Sequence, residues 1–359
     1  MRGLRWVVVV ALSLGAAGCG GGSSGSDDAG GGGTAERSTT TAPAADGGAE
    51  RPEGTWALVS VELERSDQAE FAAGQSQLRL AGLEPTCDEG SCDVEVAPAG
   101  VDGTYLPEGV TPAKGAAAPE PYTLAWEPDE ERYVRTTEAV SSCTTAEGQT
   151  VEEAYATTTV ATLEFRPAEG GRPAALTGTY TETVTPTAAG GAVAGCTPFE
   201  ERGAVFGTPE GEAAGLDDLD LAGTYVTTEV VEEVEPAGQR DPGFAGLLGE
   251  QTVAADGDRY TVTGILGEPA PLERSGDAFG GTTPEVSQPC RLATEVADGF
   301  TSTETWSELA PVGLDDEGRP ILAGRWRLFE NPTPAGVDGG CSLSSNTGHV
   351  LLVPSGAIP

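Results

Sequence analysis

Seven cysteines are the residues whose type and spacing most readily indicate chemistry in this chain of 359 residues. They are Cys19, Cys87, Cys92, Cys143, Cys196, Cys290 and Cys341. Because the number is odd, one cysteine has no intramolecular partner and needs another role. Redox catalysis is not indicated, because the sequence contains no Cys-x-x-Cys motif. We therefore expect six structural cysteines and one with separate chemistry.

The remaining residues give little support for catalysis. His349 is the single histidine, and the sequence contains no G-x-S-x-G, P-loop or zinc-protease motif. Asp217, Asp218 and Asp220 could attract calcium, but their spacing does not fit an EF-hand. No spacing singles out a carboxylate pair for glycoside hydrolysis among the 57 acidic residues. The sequence predicts no catalytic residue, no metal site and no cofactor.

Residues 1–19 have the pattern of an export signal. Arg2 and Arg5 precede an apolar stretch, and small residues then lead to Cys19. The Ala-Ala-Gly before Cys19 resembles a bacterial lipobox, whose cysteine becomes the lipidated first residue of the mature protein; Ala16 stands where that motif prefers leucine. Two acyl chains on one cysteine are enough for stable anchoring. An ordinary cleaved signal is the alternative.

Residues 20–53 are rich in Gly, Ser and Thr, and none of their apolar side chains is larger than that of Ala or Pro. Such a segment cannot bury enough surface to offset its chain entropy, so we predict a disordered tether. The formal net charge of −38 repels nucleic acid. We expect the protein on the outer face of a cell membrane, reached through the lipid, with no nucleic-acid partner.

One phrase occurs twice in the chain. "GRPAALTGTY" at 171–180 has a counterpart in "GRPILAGRW" at 318–326. The starts of two longer segments also match, as "GTWALVSVELE" and "GTYVTTEVVEEVE". Two copies of one domain explain this pattern. We predict domains at 54–208 and 222–357, joined by an acidic linker at 209–221.

The repeat also orders the cysteines, because one precedes and one follows each phrase. The spacing is 53 residues in the first copy and 51 in the second. Pairing each copy within itself joins Cys143 to Cys196 and Cys290 to Cys341. Cys87 and Cys92 then remain for each other, in "TCDEGSC". Three disulfides favour an oxidising compartment.

Hydrophobic residues alternate with a period of two along most of the chain after residue 53. Ala57, Val59 and Val61 share one face of a predicted strand, and Tyr180 and Val184 share a face of another. We predict an all-β protein with two tandem antiparallel barrel-like domains, lipocalin-like in outline, and a β-sandwich as the alternative. Segments 66–75 and 241–250 are the only plausible helices.

Six aromatic residues are candidates for the barrel interiors: Trp56, Trp126, Tyr180, Tyr225, Trp306 and Trp326. In the repeated phrase, a glycine lies two residues before Tyr180 or Trp326. A glycine there lets the strand bend or lets a neighbouring ring cover the backbone. We interpret these aromatics as packing residues; contact with a ligand is the alternative.

The order of motifs in the first copy carries a resemblance. "GTW", "PTCDEGSCDVEV", "YTLAW" and "RYV" are followed by a cysteine, an aromatic strand and a second cysteine. This order resembles the repeated β-rich domains of actinobacterial secreted lipoproteins and sensor-type extracellular regions. The match covers 54–208 and, less well, 222–355, because the second copy has no counterpart of Cys87 and Cys92. The resemblance implies an extracytoplasmic β-domain and no particular reaction.

Two functions of different class follow from these features. In the first, the protein is a lipid-anchored, non-catalytic binding or interaction protein of the bacterial cell envelope, and its partner is a small apolar ligand or an envelope protein. In the second, it is an extracytoplasmic hydrolase that acts through two carboxylates. A purely structural envelope protein is a further alternative to the first.

The anchor can be tested by replacing Cys19. In the natural host, Cys19→Ala should release the protein from the membrane into the medium, because the thioether-linked acyl chains are lost. Fractionation followed by immunoblotting measures the distribution. Membrane retention of the variant would contradict the assignment.

Overall fold

A computed structural model describes most of the chain after residue 50. The described residues are 51–66, 73–88, 91–98, 121–145, 148–169, 171–193, 195–211, 219–235, 245–257, 259–291 and 295–358. The predicted signal, Cys19 and most of the predicted tether lie outside them, as do 212–218 of the predicted linker. Within these ranges the protein is almost entirely β, as predicted, and no helix is long and apolar enough to cross a membrane.

The first eight strands form a closed barrel. They are β1 (Gly54–Arg65), β2 (Ser76–Asp88), β3 (Ser91–Pro98), β4 (Tyr122–Glu127), β5 (Arg132–Thr144), β6 (Thr150–Arg166), β7 (Ala175–Pro186) and β8 (Phe199–Pro209). Each strand pairs antiparallel with the next, and β8 pairs with β1. Closure leaves no sheet edge exposed.

The remaining nine strands form a second sheet in the order β13-β12-β11-β10-β9-β17-β16-β15-β14, with an additional pairing between β13 and β15. They are β9 (Gly223–Glu235), β10 (Ala245–Asp256), β11 (Arg259–Thr263), β12 (Pro269–Ser275), β13 (Ala278–Thr282), β14 (Val286–Arg291), β15 (Glu295–Leu314), β16 (Pro320–Pro332) and β17 (Ser344–Pro354). A short helix, α1 (Pro334–Asp338), follows β16.

The helix predicted at 241–250 is wrong for 245–250, which belong to β10. These residues pair with β9, and a bulge lies between Leu247 and Gly249. Pairing with a long neighbouring strand therefore overrides the weak local preference for a helix. Most of the helix predicted at 66–75 lies outside the described residues. Helix α1 was not predicted; Pro334 begins it and the Thr333 side chain caps it by accepting from the Gly336 N–H.

Alternate residues of β1 belong to two different cores. Trp56 and Leu58 pack inside the barrel. The face of Ala57, Val59 and Val61, which the periodicity predicts, instead points outward and packs against the second sheet. The partners in that sheet are Ile321, Ala323, Leu351 and Val353. The apolar runs of β16 and β17 thus bury both faces, one inside the second sheet and one against the barrel.

Polar contacts accompany this interface. The Ser76 N–H donates to the Thr228 hydroxyl at 2.9 Å, and the Leu314 N–H donates to the Thr208 hydroxyl at 3.1 Å. The side chains of Ser76, Thr208 and Thr228 are all buried. These hydrogen bonds therefore satisfy buried polar groups across the interface.

The repeated phrase places a glycine where two strands approach closely. A Cβ at Gly178 would lie 1.9 Å from the Thr162 carbonyl oxygen, and one at Gly324 would lie 2.8 Å from the Leu309 Cα. No other residue type fits at either position without moving a backbone. Each glycine precedes by two residues an aromatic side chain, Tyr180 or Trp326, that is almost fully buried.

The six described cysteines form three disulfides. Cys143 joins Cys196, Cys290 joins Cys341, and Cys87 joins Cys92. These are the pairs that the repeat predicts. Cys87 and Cys92 are direct cross-strand partners on β2 and β3, so their bridge closes a short hairpin. The other two bridges each close a loop of about fifty residues.

The loop lengths predict unequal contributions to stability. Replacing Cys143 and Cys196 together by Ala should lower the free energy of unfolding by about 4 kcal/mol, because the bridge restricts a long loop in the unfolded chain. The matched replacement of Cys87 and Cys92 should lower it by only about 2 kcal/mol. Urea unfolding of both variants measures the difference, and equal losses would contradict it.

Candidate functional site

A row of directly paired residues crosses five strands of the barrel. Arg135 on β5 pairs with Ala161 on β6, and Ala161 pairs with Tyr180 on β7. Tyr180 pairs with Gly203 on β8, and Gly203 pairs with Glu62 on β1. These positions share the strand face that points into the barrel. The row therefore places a cation, a phenol and a carboxyl group inside one barrel.

A second row lies two residues away on β6, β7 and β8 and, because of a bulge after Glu62, three residues away on β1. Thr159 pairs with Glu182, Glu182 with Glu201, and Glu201 with Arg65. The Thr159 hydroxyl donates to Glu182 Oε2 at 3.3 Å, and Arg65 lies 3.5 Å from Glu201 Oε2. Glu182 is 6 % exposed and Glu201 2 %. Two acidic side chains are thus held side by side in the interior.

Tyr180 joins the two rows. Its hydroxyl donates to Glu201 Oε1 at 2.9 Å, and its ring covers the backbone of Gly203. A Cβ at Gly203 would lie 2.1 Å from the Tyr180 ring. Gly203 therefore makes the space that lets the phenol reach the carboxylate. We call Glu62, Tyr180, Glu182, Glu201 and Arg65 the acidic cluster.

Burial dominates the electrostatics of the acidic cluster. It raises the pKa of Glu62 to about 7; the charge of Glu201 adds to the rise, and Arg65 partly offsets it. Burial also raises the pKa of Glu182, against the hydrogen bond from Thr159. The pKa of Tyr180 is raised by burial and by Glu201. The pKa of Glu62 therefore lies near neutral pH, well above the usual value of a glutamate.

The second sheet has a corresponding row of paired residues, but its side chains differ in chemistry. Gly281 pairs with Trp306, Trp306 with Trp326, Trp326 with Gly348, and Gly348 with Val231. Trp326 stands at the position of Tyr180, two residues after the glycine of the repeated phrase. In the second sheet, Gly281 stands where the barrel has Arg135. Likewise Trp306 takes the place of Ala161, and Val231 the place of Glu62. One row is polar and the other is apolar.

The six predicted interior aromatics separate into three groups. Trp56 lies in the barrel core, and Tyr225, Trp306 and Trp326 lie together in the core of the second sheet. Tyr180 belongs to the acidic cluster. Trp126 is half-exposed; its ring lies 4.3 Å from the Arg51 guanidinium and 4.9 Å from the Tyr133 ring.

The sequence analysis missed Glu62, Glu182 and Glu201. In "TYTETV", Glu182 has the same parity as Tyr180 and Val184, so the pattern did place it on the apolar face. That signal was available, but 57 acidic residues made an exposed glutamate the default interpretation. Only the cross-strand registers bring the three glutamates together.

His349 lies apart from the acidic cluster, on the second sheet. Its Nε2 lies 2.5 Å from Glu232 Oε1, and Arg325 donates to Glu232 Oε2 at 2.6 Å. The described part of the chain contains no group of three or more His, Cys, Asp or Glu residues arranged to hold a metal. Asp220, from the predicted linker, accepts a hydrogen bond from the Ala222 N–H at 2.9 Å.

Comparisons with known proteins add no assignment. No protein-family model matches the sequence. No curated protein and no solved structure is significantly similar to it.

Glu62 should make stability depend on pH. Its pKa is 4.5 in an unfolded chain and about 7 in the barrel, so folding opposes its ionisation. The stability contributed by Glu62 should be fully present below pH 4.5, fall as the pH rises from 4.5 to 7, and decrease by on the order of 2 kcal/mol in total. Urea unfolding at pH 5 and pH 8 measures the loss.

Glu62→Gln should reduce this difference, because its amide does not ionise. Glu64→Gln, an exposed position on the same strand, is the matched control and should leave the difference unchanged. The neighbouring Glu182, Glu201 and Arg65 are retained in both variants, so they do not account for a difference between them. An equal pH dependence in both variants would contradict the role of Glu62.

Proposed function

We propose that the protein is a lipid-anchored, non-catalytic binding protein on the outer face of a bacterial cell membrane, and that its barrel holds a small ligand in its interior. We also propose that the second sheet is a second copy of the same lipocalin-like barrel domain, of the kind found in actinobacterial secreted lipoproteins. In this proposal the second domain supports the first, which binds.

The duplication is supported by the corresponding rows. In both halves a glycine precedes an aromatic residue, Tyr180 or Trp326, whose neighbour on the following strand is again glycine, Gly203 or Gly348. Strand β13 lies at one end of the second sheet, and β15 lies next to β14 at the other end. The pairing of β13 with β15 therefore closes eight strands into a ring. That sheet therefore follows the same order of pairings as the barrel, with β14 attached outside the ring.

The binding proposal rests on one difference between the two halves: the barrel has Ala161 at the position where the second sheet has Trp306. Both residues pair with the aromatic residue of the repeated phrase. The barrel has a methyl group where the second sheet has a buried indole, 1 % exposed. Ala161 faces the interior but is half-exposed, which indicates accessible space beside it.

Two other interior positions differ in the same direction. Leu58 is half-exposed in β1, whereas Thr227, at the corresponding position of β9, is fully buried. Val205 is half-exposed in β8, whereas Val350 in β17 is 2 % exposed. Accessible apolar surface inside one barrel, against a filled interior in its counterpart, supports a ligand in the first.

The carboxylates favour binding over hydrolysis. Glu182 and Glu201 are cross-strand neighbours, as the hydrolase alternative requires of a carboxylate pair. However, they are 6 % and 2 % exposed, and Glu201 already bonds to Tyr180. A glycosidic bond would have to reach both carboxyl groups with water beside them, and such deep burial opposes this.

The proposed location rests on the disulfides, the N-terminal sequence and the net charge of the chain. The protein has three disulfides. Disulfides form and persist in oxidising compartments. The lipobox-like sequence at Cys19 supplies the anchor, and the net charge of −38 disfavours nucleic acid as a partner. An envelope protein bound on the outer surface is the alternative to an interior ligand.

Filling the space beside Ala161 tests the binding proposal. The neutral fluorescent probe N-phenyl-1-naphthylamine should bind the full chain, and Ala161→Trp should weaken binding at least about tenfold because the indole occupies the cavity. Ala161→Leu serves as a smaller filling variant if the indole impairs folding. Fluorescence titration measures the affinity.

Ala156→Trp is the matched control, because Ala156 is exposed and lies on the outer face of the same strand. It should bind the probe like the natural chain. If the natural chain does not bind the probe, or if Ala161→Trp binds it equally well, the barrel has no ligand cavity and the structural alternative stands.

A further inference from the structure

Arg135 is buried in the barrel without a carboxylate partner. It is 7 % exposed, and its Nε–H has no acceptor. None of the ion pairs between described residues includes Arg135. An isolated buried charge is strongly unfavourable, and buried guanidinium groups are normally paired. Arg135 therefore occupies a position that an anion would stabilise.

The surroundings of Arg135 are cationic and aromatic. Its guanidinium carbon lies 3.5 Å from the centre of the Tyr122 ring. Arg79 on β2 is close enough to lower the pKa of Arg135, in addition to the larger effect of burial. The Arg79 guanidinium donates to Gln77 Oε1 at 3.1 Å. Two cations thus share this side of the interior, in a chain with three times as many acidic as basic residues.

The space next to Arg135 is the proposed cavity beside Ala161. Arg135 and Ala161 are direct cross-strand partners. The half-exposed Leu58 and Val205 belong to the same interior core and provide apolar surface. A ligand here meets a guanidinium at one end and hydrocarbon along its length.

We infer that the barrel binds a small organic monocarboxylate, whose carboxylate group pairs with Arg135 and whose apolar part lies in the cavity beside Ala161. This inference rests on the proposed ligand cavity. The planar guanidinium matches a carboxylate with two parallel hydrogen bonds. The ring of Tyr122 lies against one face of the guanidinium.

The acidic cluster argues against a more highly charged ligand. Glu62 lies in the same row as Arg135, separated from it by Ala161, Tyr180 and Gly203. Glu182 and Glu201 lie in the next row. A dianionic phosphate would be repelled by these groups more strongly than a monocarboxylate. The side chains of the interior therefore favour a ligand with a single negative charge.

A purely structural Arg135 makes the opposite prediction for the empty protein. If its stacking on Tyr122 mainly stabilises the barrel, Arg135→Gln should lower the melting temperature. If Arg135 is retained for an anion, removing the unpaired buried charge should leave the melting temperature unchanged or raise it by a few degrees. Thermal unfolding of the ligand-free full chain distinguishes the two.

Binding is tested with carboxyl-labelled octanoate, followed by carbon NMR and by thermal shift. Octanoate should bind the natural chain, and Arg135→Gln should weaken it at least about tenfold. Arg259→Gln, an exposed arginine at the start of β11, is the matched control and should bind like the natural chain. Octanol should bind more weakly than octanoate and should not respond to Arg135→Gln.

A parallel titration with palmitate identifies the source of the acid. Tighter binding of palmitate than of octanoate supports the inference with a lipid-derived acid; the reverse order supports it with a short soluble acid. In either case Arg135→Gln should weaken the preferred acid.

The outcomes separate this inference from the proposed function. If the neutral probe binds and Ala161→Trp blocks it, but neither acid binds or Arg135→Gln has no effect on their binding, the cavity stands and the carboxylate inference is overturned. If neither the probe nor the acids bind, both fail. A lower melting temperature of Arg135→Gln with unchanged octanoate affinity assigns Arg135 a structural role.

Discussion

The contact between the outer face of β1 and the second sheet is the constraint on which the remaining structure depends. Val59 and Val61 are essentially fully buried there, against Ile321 and Val353. Because successive residues of a strand point to opposite sides, this contact leaves Trp56, Leu58 and Glu62 to face the barrel interior. A shift of β1 by one residue would place valines in the interior and Glu62 in the interface. The position of the acidic cluster is thus set by an apolar contact on the other side of the sheet.

The sequence predicted the class of fold well, because strand alternation and turn residues are local signals. The period of two in "TWALVSVEL" is visible, but it does not tell which face of β1 is inside a barrel when both faces are buried. The repeat was equally visible and predicts the cysteine pairs, since the two copies carry them at similar spacings. Segment 245–250 was mispredicted because pairing with the preceding strand, β9, overrides its weak local preference for a helix.

The candidate site was hidden for a different reason. Glu62, Glu182 and Glu201 come from three strands, and only the registers across β7, β8 and β1 make them neighbours. No spacing along the chain encodes that arrangement. The difference between Ala161 and Trp306 was likewise invisible, because it has meaning only after both are known to pair with the same aromatic position. In the proposed duplication, the second sheet serves as an internal reference for the interior positions of the barrel.

Closure of the barrel through β1 and β8 has a consequence for how the chain reaches its native state. Strand β1 cannot complete its hydrogen bonds until β8 is present. The apolar outer face of β1 also remains exposed until the strands of the second sheet pack against it. Such long-range pairing gives a high contact order and slow folding. A chain that folds in order from its first residue would therefore pair β1 with β2 early and leave the other edge of β1 open until β8 is present. The bridge between Cys87 and Cys92, which needs only one hairpin, can form long before the barrel closes.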